Sequence, residues 1–248
     1  MSAATPPPPP AGADKPAPGR AASKAVEWLK AIVWTVAAWL VLTTFLVQAY
    51  RIPSPSMERT LMVGDVLFVN KFLFGAKLPF VDVRTPAVRE PRRGDIVVFK
   101  SPVEDSMLVK RLIGIGGDTV EMRAGVLLRN GQALQEPYAQ STDPAWQLDL
   151  GTRQMMRAMQ LPHYVGDSAD SYLPDVHDWG PLLVPRDSLW MMGDHRDQSR
   201  DSRFWGLVPR KNVRGTPVLI YYSWDPYSYR PLPFLSAVRW SRLFTIPR

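Results

Sequence analysis

The chain has 248 residues, enough for one sizeable core with an insertion or for two small domains. It contains no cysteine, which excludes disulfides, cysteine catalysis and thiolate metal sites. The net charge of +7 favours contact with anionic surfaces such as lipid headgroups. A basic solvated surface would give the same balance, and no dense run of Lys and Arg indicates nucleic acid.

The first predicted element is an apolar helix that follows a low-complexity tail. Residues 1–23 are rich in Pro, Ala and Gly, cannot bury an apolar core, and are predicted to be a disordered cytoplasmic tail. Residues 31–50 carry no charge between Lys30 and Arg51. About 20 helical residues cross a bilayer core of roughly 30 Å. We therefore predict one transmembrane helix over residues 24–50.

Two alternatives exist for this apolar stretch. One is a buried core helix, although such helices are seldom so uniformly apolar. The other is a cleavable signal peptide, because Val47-Gln48-Ala49 resembles a small-x-small cleavage site, but the apolar region of a signal peptide is usually only about 7–15 residues. Four basic residues outweigh two acidic ones before the helix, which predicts a cytoplasmic N-terminus. The chain would then cross the cytoplasmic (inner) membrane once, with residues 51–248 on the outer, periplasmic face.

Beyond the helix, short apolar runs bounded by Gly and Pro predict a mainly β domain. The 25 prolines also disfavour a helical bundle. Asn130-Gly131 between apolar stretches predicts a β-hairpin over residues 125–133. Residues 137–185 mix Asp, Pro and Ser with a short helix near residues 153–159, and are predicted to be an inserted subdomain. Further strands are predicted at residues 66–69, 95–100, 189–192 and 217–224.

Two serines follow the apolar stretch directly, in the segment Ile52-Pro-Ser-Pro-Ser-Met. The prolines fix φ and are predicted to hold Ser54 and Ser56 in an extended, non-helical loop. A rigid linker beside the membrane is the alternative interpretation of this segment.

A lysine lies in the strand-like run Leu108-Val-Lys-Arg-Leu. In such a run Lys110 is usually an edge or solvent-facing residue. If it is instead buried, desolvation lowers its pKa and makes it a usable base near neutral pH. The glycines at residues 114–117 lack the Gly-Lys-Ser/Thr ending of a phosphate-binding loop.

The last segment with a chemical pattern is residues 193–206, where three aspartates alternate with three arginines. A charged surface loop is the simplest interpretation. A metal site made of Asp194, His195 and Asp197 is disfavoured, because the interleaved arginines would repel a cation.

In order and roughly in spacing, these segments resemble the signature boxes of bacterial type I signal peptidases, or leader peptidases, a serine protease family with a Ser–Lys dyad. The boxes are Ser-x-Ser-Met, Gly-Asp and Arg-Gly-Asp, Lys-Arg ending in Gly-Gly-Asp, and Gly-Asp-x-Arg-Asp-x-Ser-x-Asp-Ser-Arg-Phe-Trp-Gly. The resemblance covers about residues 52–120 and 189–209. It implies a signal-peptidase-type β catalytic domain with a smaller inserted β region, and removal of signal peptides from exported preproteins after small residues.

The resemblance also implies roles for particular residues. Ser56 would be the nucleophile and Lys110 its general base, and Ser54 with the Ser56 backbone N–H would form the oxyanion hole. Ser199 would orient the base. Loop support is implied for Asp194, Asp201 and Arg203, and pockets for small substrate side chains for Ile52 and Val109. No metal or cofactor is required. The expected partners are preproteins that bear signal peptides and the lipid bilayer, with no nucleic acid, and a monomer is expected.

The chain departs from the family pattern at three places. Pro55 stands where Gly is common, Glu58-Arg59 replaces a pair that ends in Pro, and His195 replaces Asn. None of these changes removes a catalytic group. A triad of Ser56, His195 and Asp194 is not expected, because adjacent side chains of an extended segment point to opposite faces.

Two other functions compete with this one. A self-cleaving repressor-type protease would use the same Ser–Lys chemistry, but it would be soluble and carry a DNA-binding helical domain, and neither feature is visible. A catalytically inactive membrane-anchored β scaffold would not need Ser54, Ser56 and Lys110, which are all intact.

Overall fold

Helix α1 (Pro18–Val41) begins inside the predicted tail. The computed structural model describes residues 18–41, 47–75, 83, 85–141 and 146–248. Proline is tolerated in the first turn of a helix, and the alanines at residues 21 and 22 favour helix. The prediction of a disordered tail is therefore wrong from Pro18 onward, and its first 17 residues lie outside the described residues.

The predicted helix over residues 24–50 is wrong at its C-terminal end. Residues 47–50 belong to strand β1 (Val47–Arg51), which pairs antiparallel with β2 (Asp65–Asn70) and sets Tyr50 opposite Leu67. Tyr50 is half-buried and packs against an apolar cluster that contains Leu67, and the strand gains backbone hydrogen bonds from its partner. Residues 42–46 lie outside the described part of the chain.

A membrane span requires a helix that is both long and strongly apolar. Among the described residues, no helix meets both requirements.

The chain divides into two compact units, residues 1–42 and 43–248. Besides β1 and β2, the strands of the second unit are β3 (Ile96–Lys100), β4 (Met107–Ile115), β5 (Thr119–Arg123), β6 (Val126–Arg129), β7 (Gln132–Ala133), β8 (Trp179–Leu183), β9 (Ser188–Met192), β10 (Val208–Pro209) and β11 (Val213–Ser223). Its helices are α2 (Leu150–Gln160), α3 (Ser202–Trp205) and α4 (Pro233–Ser236). Single 3-10 turns occur at Pro55–Met57, Phe72–Phe74, Leu161–His163, Arg210–Asn212 and Trp240–Arg242.

The larger sheet has seven strands in the order β1-β2-β11-β3-β4-β9-β10. Its described pairs are all antiparallel, so the prediction of a mainly β domain is confirmed. One apolar cluster on this sheet contains Phe99, Leu112 and Met191, and a second contains Leu67 and Val98. Both faces of the central strands are therefore covered, and a polar side chain on them is forced into the interior.

The smaller sheet has four strands in the order β7-β6-β5-β8. Asn130 and Gly131 connect β6 to β7 with φ values of 54° and 74°, the left-handed conformations that a two-residue hairpin turn requires. The hairpin prediction is confirmed, as is the short helix, which is α2. Of the described strands, only β8 lies within residues 137–185, so the inserted β region begins earlier than predicted, at Thr119.

The last residues of the described chain pack back onto the start of β2. Arg242 donates two hydrogen bonds to the buried carboxylate of Asp65, at 2.6 and 3.0 Å, and one to the backbone carbonyl of Thr60 at 3.0 Å. The Ser223 hydroxyl donates to the same carboxylate at 2.7 Å. The segment that carries the two serines is thus held by residues near the other end of the sequence.

Candidate active site

Strand β4 carries Lys110 into the interior of the larger sheet. It lies between β3 and β9, and Lys110 is paired in register with Val97. Only 3% of Lys110 is exposed. Of the two interpretations of this lysine, the desolvated one is therefore correct, because β4 is a central strand and not an edge.

Ser56 lies on a single 3-10 turn, Pro55–Met57, that faces β4. The prediction of a wholly extended loop is correct for Ser54, with φ −133° and ψ 154°, and wrong for Ser56. Pro55 occupies the first position of the turn, where its fixed φ suits a helix. A backbone N–H at this position would have no partner within the turn, so proline loses no hydrogen bond there. The departure from Gly at this position therefore gives the turn a rigid start.

The two candidate catalytic groups meet in the interior. Lys110 Nζ donates a hydrogen bond to Ser56 Oγ, and both side chains are buried. Burial lowers the pKa of Lys110 to about 8, and the nearby carboxylate of Asp201 opposes part of this effect. A substantial fraction of Lys110 is therefore neutral near physiological pH, as a proton acceptor must be.

Ser54 lies beside this pair. Its hydroxyl oxygen is 3.4 Å from Ser56 Oγ, and it does not cap the turn that follows it. The hydroxyl is thus directed to the same small region as the Ser56 side chain, which is the arrangement required of a donor to a developing oxyanion there.

The loop after β9 closes the site from the other side. The Asp201 carboxylate accepts hydrogen bonds from the Gly193 N–H at 3.0 Å and from the Arg203 guanidinium at 2.8 and 2.9 Å, and all three residues are buried. Although burial opposes it, the charge of Arg203 and these hydrogen bonds hold the pKa of Asp201 below its usual value. The buried hydrogen bonds of Asp201 and Arg203 therefore join both ends of this loop, and their role in loop support remains a prediction.

Ser199 lies beside Gly193, on the same side of the site as the Ser56 carbonyl. A Cβ added at Gly193 would come within 2.3 Å of Ser199 Oγ and 2.4 Å of the Ser56 carbonyl oxygen, so only glycine fits between them. Within the described residues, no hydrogen bond joins Ser199 Oγ to Lys110 Nζ. The orienting role of Ser199 remains a prediction.

Arg111 is a buried residue beside the site whose contacts sequence reasoning missed. Its guanidinium donates two hydrogen bonds to the Asp194 carboxylate, at 2.8 and 2.7 Å, and one to the Gly94 carbonyl at 2.9 Å. The Thr60 hydroxyl donates to Asp194 at 2.5 Å, and the Tyr138 ring lies 3.8 Å from the Arg111 guanidinium. Arg111 stands next to Lys110 in the sequence, and that position in a buried strand is the signal that could have revealed it.

Two cavities flank the Ser56 and Lys110 side chains. A small one of about 60 Å³ is lined by Ile52 and Val109, among other residues. A wider one of about 270 Å³ is lined on the opposite side by residues that include Gln198, Arg200 and Glu104. The first is small and mostly apolar, which suits small side chains, and the pocket role of Ile52 and Val109 remains a prediction.

The side chain of His195 faces Glu58. Its Nδ1 lies 3.3 Å from a carboxylate oxygen of Glu58, while its backbone N–H donates to the Ser56 carbonyl at 3.2 Å. Within the described part of the chain, no group of three His, Asp or Glu residues is arranged to hold a metal ion.

Comparison with known proteins gives consistent matches over most of the chain. The family model described as signal peptidase, peptidase S26, matches residues 25–224. Signal peptidase I of Pseudomonas aeruginosa is 33% identical over 86% of this chain and 78% of its own length. Signal peptidase I of Leptolyngbya laminosa is 34% identical over 88% of each chain. The crystal structure of a signal peptidase I from Enterococcus faecalis matches 52% of this chain and 98% of its own at 28% identity, with a TM-score of 0.35.

Proposed function

We propose, from the premise that this chain belongs to the signal peptidase family, peptidase S26, that Ser56 is its catalytic nucleophile and Lys110 its general base. The chain is a serine endopeptidase that removes signal peptides from preproteins. The observation that carries the assignment of the two residues is the hydrogen bond from Lys110 Nζ to Ser56 Oγ in a buried site.

In the first half of the proposed reaction, neutral Lys110 takes the Ser56 proton as Ser56 Oγ attacks the carbonyl carbon of the scissile bond. The carbonyl oxygen becomes negative and is held by the Ser56 backbone N–H and the Ser54 hydroxyl. When the C–N bond breaks, Lys110 returns its proton to the leaving amine. The signal peptide is then an ester of Ser56.

In the second half, water attacks this ester and Lys110 takes one of its protons. The ester bond breaks, the proton returns to Ser56 Oγ, and the signal peptide leaves with a free carboxylate. This use of one base in both halves is the logic of the Ser–His–Asp triad with lysine in place of histidine. The low pKa of Lys110, about 8, makes it neutral often enough to begin the cycle.

The small apolar cavity is proposed to select the residues before the cut. Ile52 and Val109 line a space of about 60 Å³, which would admit the side chains of Ala, Gly or Ser and exclude bulky ones. Replacing Ala immediately before the cut by Phe is expected to remove most of kcat/KM. Equal cleavage of the Ala and Phe substrates would contradict this pocket assignment.

The assignment of the dyad is tested with purified protein in detergent and a secretory precursor. Ser56→Ala and Lys110→Ala are each expected to lower kcat/KM by at least about 10³-fold. Lys100→Ala is the matched control, since Lys100 lies on the neighbouring strand β3 and pairs with Asp105 at the surface. A His195→Asn variant without activity, combined with an active Lys110→Ala variant, would replace the Ser–Lys mechanism by a Ser–His one.

We also propose that the apolar N-terminal segment that contains α1 anchors the chain in the cytoplasmic membrane, with its N-terminus inside and the catalytic unit outside. Helix α1 by itself does not meet the requirements for a span, but Ile32, Val33 and Trp34 are more than half exposed on it, and an exposed apolar surface is typical of a site that contacts lipid or another protein. Such an anchor would hold the enzyme at the surface where signal peptides end, and so raise the effective concentration of substrate.

Protease added to intact spheroplasts should digest residues 51–248, and a cytoplasmic protein of the same cells should remain intact as a control. Protection of this region until the membrane is lysed would contradict the proposed topology.

A further inference from the structure

The short segment that carries Ser56 is fastened to the loop after β9 at three alternate residues. The Ser56 carbonyl accepts a hydrogen bond from the His195 N–H at 3.2 Å, and the Thr60 hydroxyl donates to Asp194 at 2.5 Å. Between them, Glu58 lies 3.3 Å from His195 Nδ1. Residues 56, 58 and 60 thus all contact the same dipeptide.

Arg59 interrupts this segment with a φ of 75°. A non-glycine residue is strained in this region and stays there only when its neighbours hold it. Of its two neighbours, Thr60 donates a hydrogen bond to Asp194, and Glu58 lies within ion-pair distance of His195 Nδ1 without a hydrogen bond to it. The contact of Glu58 with His195 therefore supports a backbone conformation that the isolated segment would not favour.

Glu58, Arg59 and His195 are all departures from the family pattern. Proline, which the resemblance places at residue 59, has its φ fixed near −65° and could not adopt the value of Arg59. Glu58 and His195 lie on two segments that are far apart in the sequence, and in this structure their side chains face each other.

We propose that Glu58 and His195 form a positioning pair that holds the Ser56 turn against Lys110. The proposal rests on the assignment of Ser56 and Lys110 as the catalytic dyad. The pair acts through the Ser56 carbonyl, which the His195 N–H holds, and not through the substrate. Among the described residues that line the two cleft cavities, neither Glu58 nor His195 is present.

A positioning role has a specific kinetic signature. A displacement of about 1 Å between a nucleophile and its base can lower the rate by about a hundredfold. Loss of one of three fastenings should displace the turn by less than that, so we expect kcat to fall by about three- to tenfold. KM should stay within about twofold, because the cavities that bind the substrate are unchanged.

The test uses the full-length enzyme in detergent with a secretory precursor, and compares Glu58→Ala, Glu58→Gln, His195→Asn and the double variant Glu58→Ala/His195→Asn. Each single loss of the pair should lower kcat by about three- to tenfold. The double variant should be no slower than the slower single variant, because the pair can be broken only once. Glu58→Gln keeps an oxygen at the same reach and should retain more activity than Glu58→Ala.

Glu90→Ala is the matched control, since Glu90 pairs with Arg210 at 2.5 Å on the surface. It should leave kcat unchanged. The side chain of Glu58 is 44% exposed, so Glu58→Ala leaves no buried cavity. The melting temperature of the Glu58→Ala variant should therefore stay close to that of the parent protein.

The proposal is overturned if the two single effects multiply in the double variant, if the change appears in KM, or if neither single variant changes kcat. Ser56→Ala serves as the separate check on the dyad. If that variant still cleaves the precursor, the assignment of the dyad fails, whatever the result for the pair.

Discussion

The two sheets of the catalytic unit use buried charge in different ways. In the larger sheet, Lys110 and Arg111 are buried side by side on a central strand, and Asp194 is buried beside them. In the smaller sheet the core is apolar, and the buried Glu121 pairs at 2.8 Å with Arg123, whose side chain is 69% exposed. Buried charge is costly, so its concentration in one sheet marks the region where the chain sacrifices stability for chemistry.

The largest expected effect is on the buried ion pair of the larger sheet. Arg111→Met leaves the Asp194 carboxylate buried without its bidentate partner. Removal of one partner of a buried pair typically costs about 3–5 kcal/mol of unfolding free energy. Urea denaturation should show a loss of this size.

Arg123→Met is the corresponding control in the smaller sheet. Its guanidinium is largely in solvent, and the buried Glu121 lines an open surface cavity of about 490 Å³, so water can replace the lost partner and the expected loss is smaller, about 1–2 kcal/mol. Similar losses of unfolding free energy for the two variants would show that the two sheets do not differ in how much their charged pairs contribute to stability.

The second prediction concerns the pH dependence of kcat/KM, which Lys110 of the larger sheet should determine. Because the pKa of Lys110 is lowered to about 8, its neutral fraction falls about tenfold for each pH unit below that value. The value of kcat/KM should therefore fall about tenfold for each pH unit between pH 7 and pH 5, a range well below the pKa of about 8. A limb centred near ~6.5 would instead indicate a histidine base.

The third prediction is that Lys110→Met stabilises the protein while it abolishes cleavage. The folded-state pKa of about 8 lies below the value of 10.5 for free lysine, so the unfolded chain binds more protons between these two pH values. Stability of the parent protein therefore rises with pH across this window, and below it the charged lysine destabilises the fold. At pH 7 the variant should gain on the order of 1–3 kcal/mol, measured by urea denaturation.

This gain should shrink as the pH approaches 10, where Lys110 is neutral in the folded state. A Lys100→Met control at the surface should show no such dependence on pH. A gain that stays constant from pH 7 to 10 would assign the effect to packing.

The smallest expected effect is in the smaller sheet. Gly131→Ala places a Cβ on a residue with φ 74° in the hairpin between β6 and β7, where no atom of the described residues lies within 4 Å of it. The cost should be about 1 kcal/mol from backbone strain alone. Cleavage should stay within about twofold, since the hairpin does not line the cleft. A large loss of kcat would show that the smaller sheet is coupled to the site.

The contrast between the sheets also bears on what sequence alone can predict. Asn130-Gly131 predicted its hairpin from local sequence, and the resemblance of four ordered segments to a known family predicted that Ser56 and Lys110 meet. Local signals failed for residues 47–50, because an uncharged run suits a membrane helix and a strand equally well, and the partner strand decides.

The contacts that support Ser56 and Lys110 could not be predicted from the sequence, because they join segments that are far apart in it. Arg111 and Asp194 are 83 residues apart, and an alternating charge pattern in a loop does not say which charge is buried. Glu58 and His195 also lie far apart in the sequence, and only the folded chain shows that they meet.

The hydrogen bonds of Arg242 have a consequence for the order in which the enzyme matures. Arg242 holds the carbonyl of Thr60 and the carboxylate of Asp65, 177 residues earlier in the chain. A ribosome makes the N-terminal part of a chain first, so these hydrogen bonds to the segment that carries Ser56 can form only after Arg242 has been added.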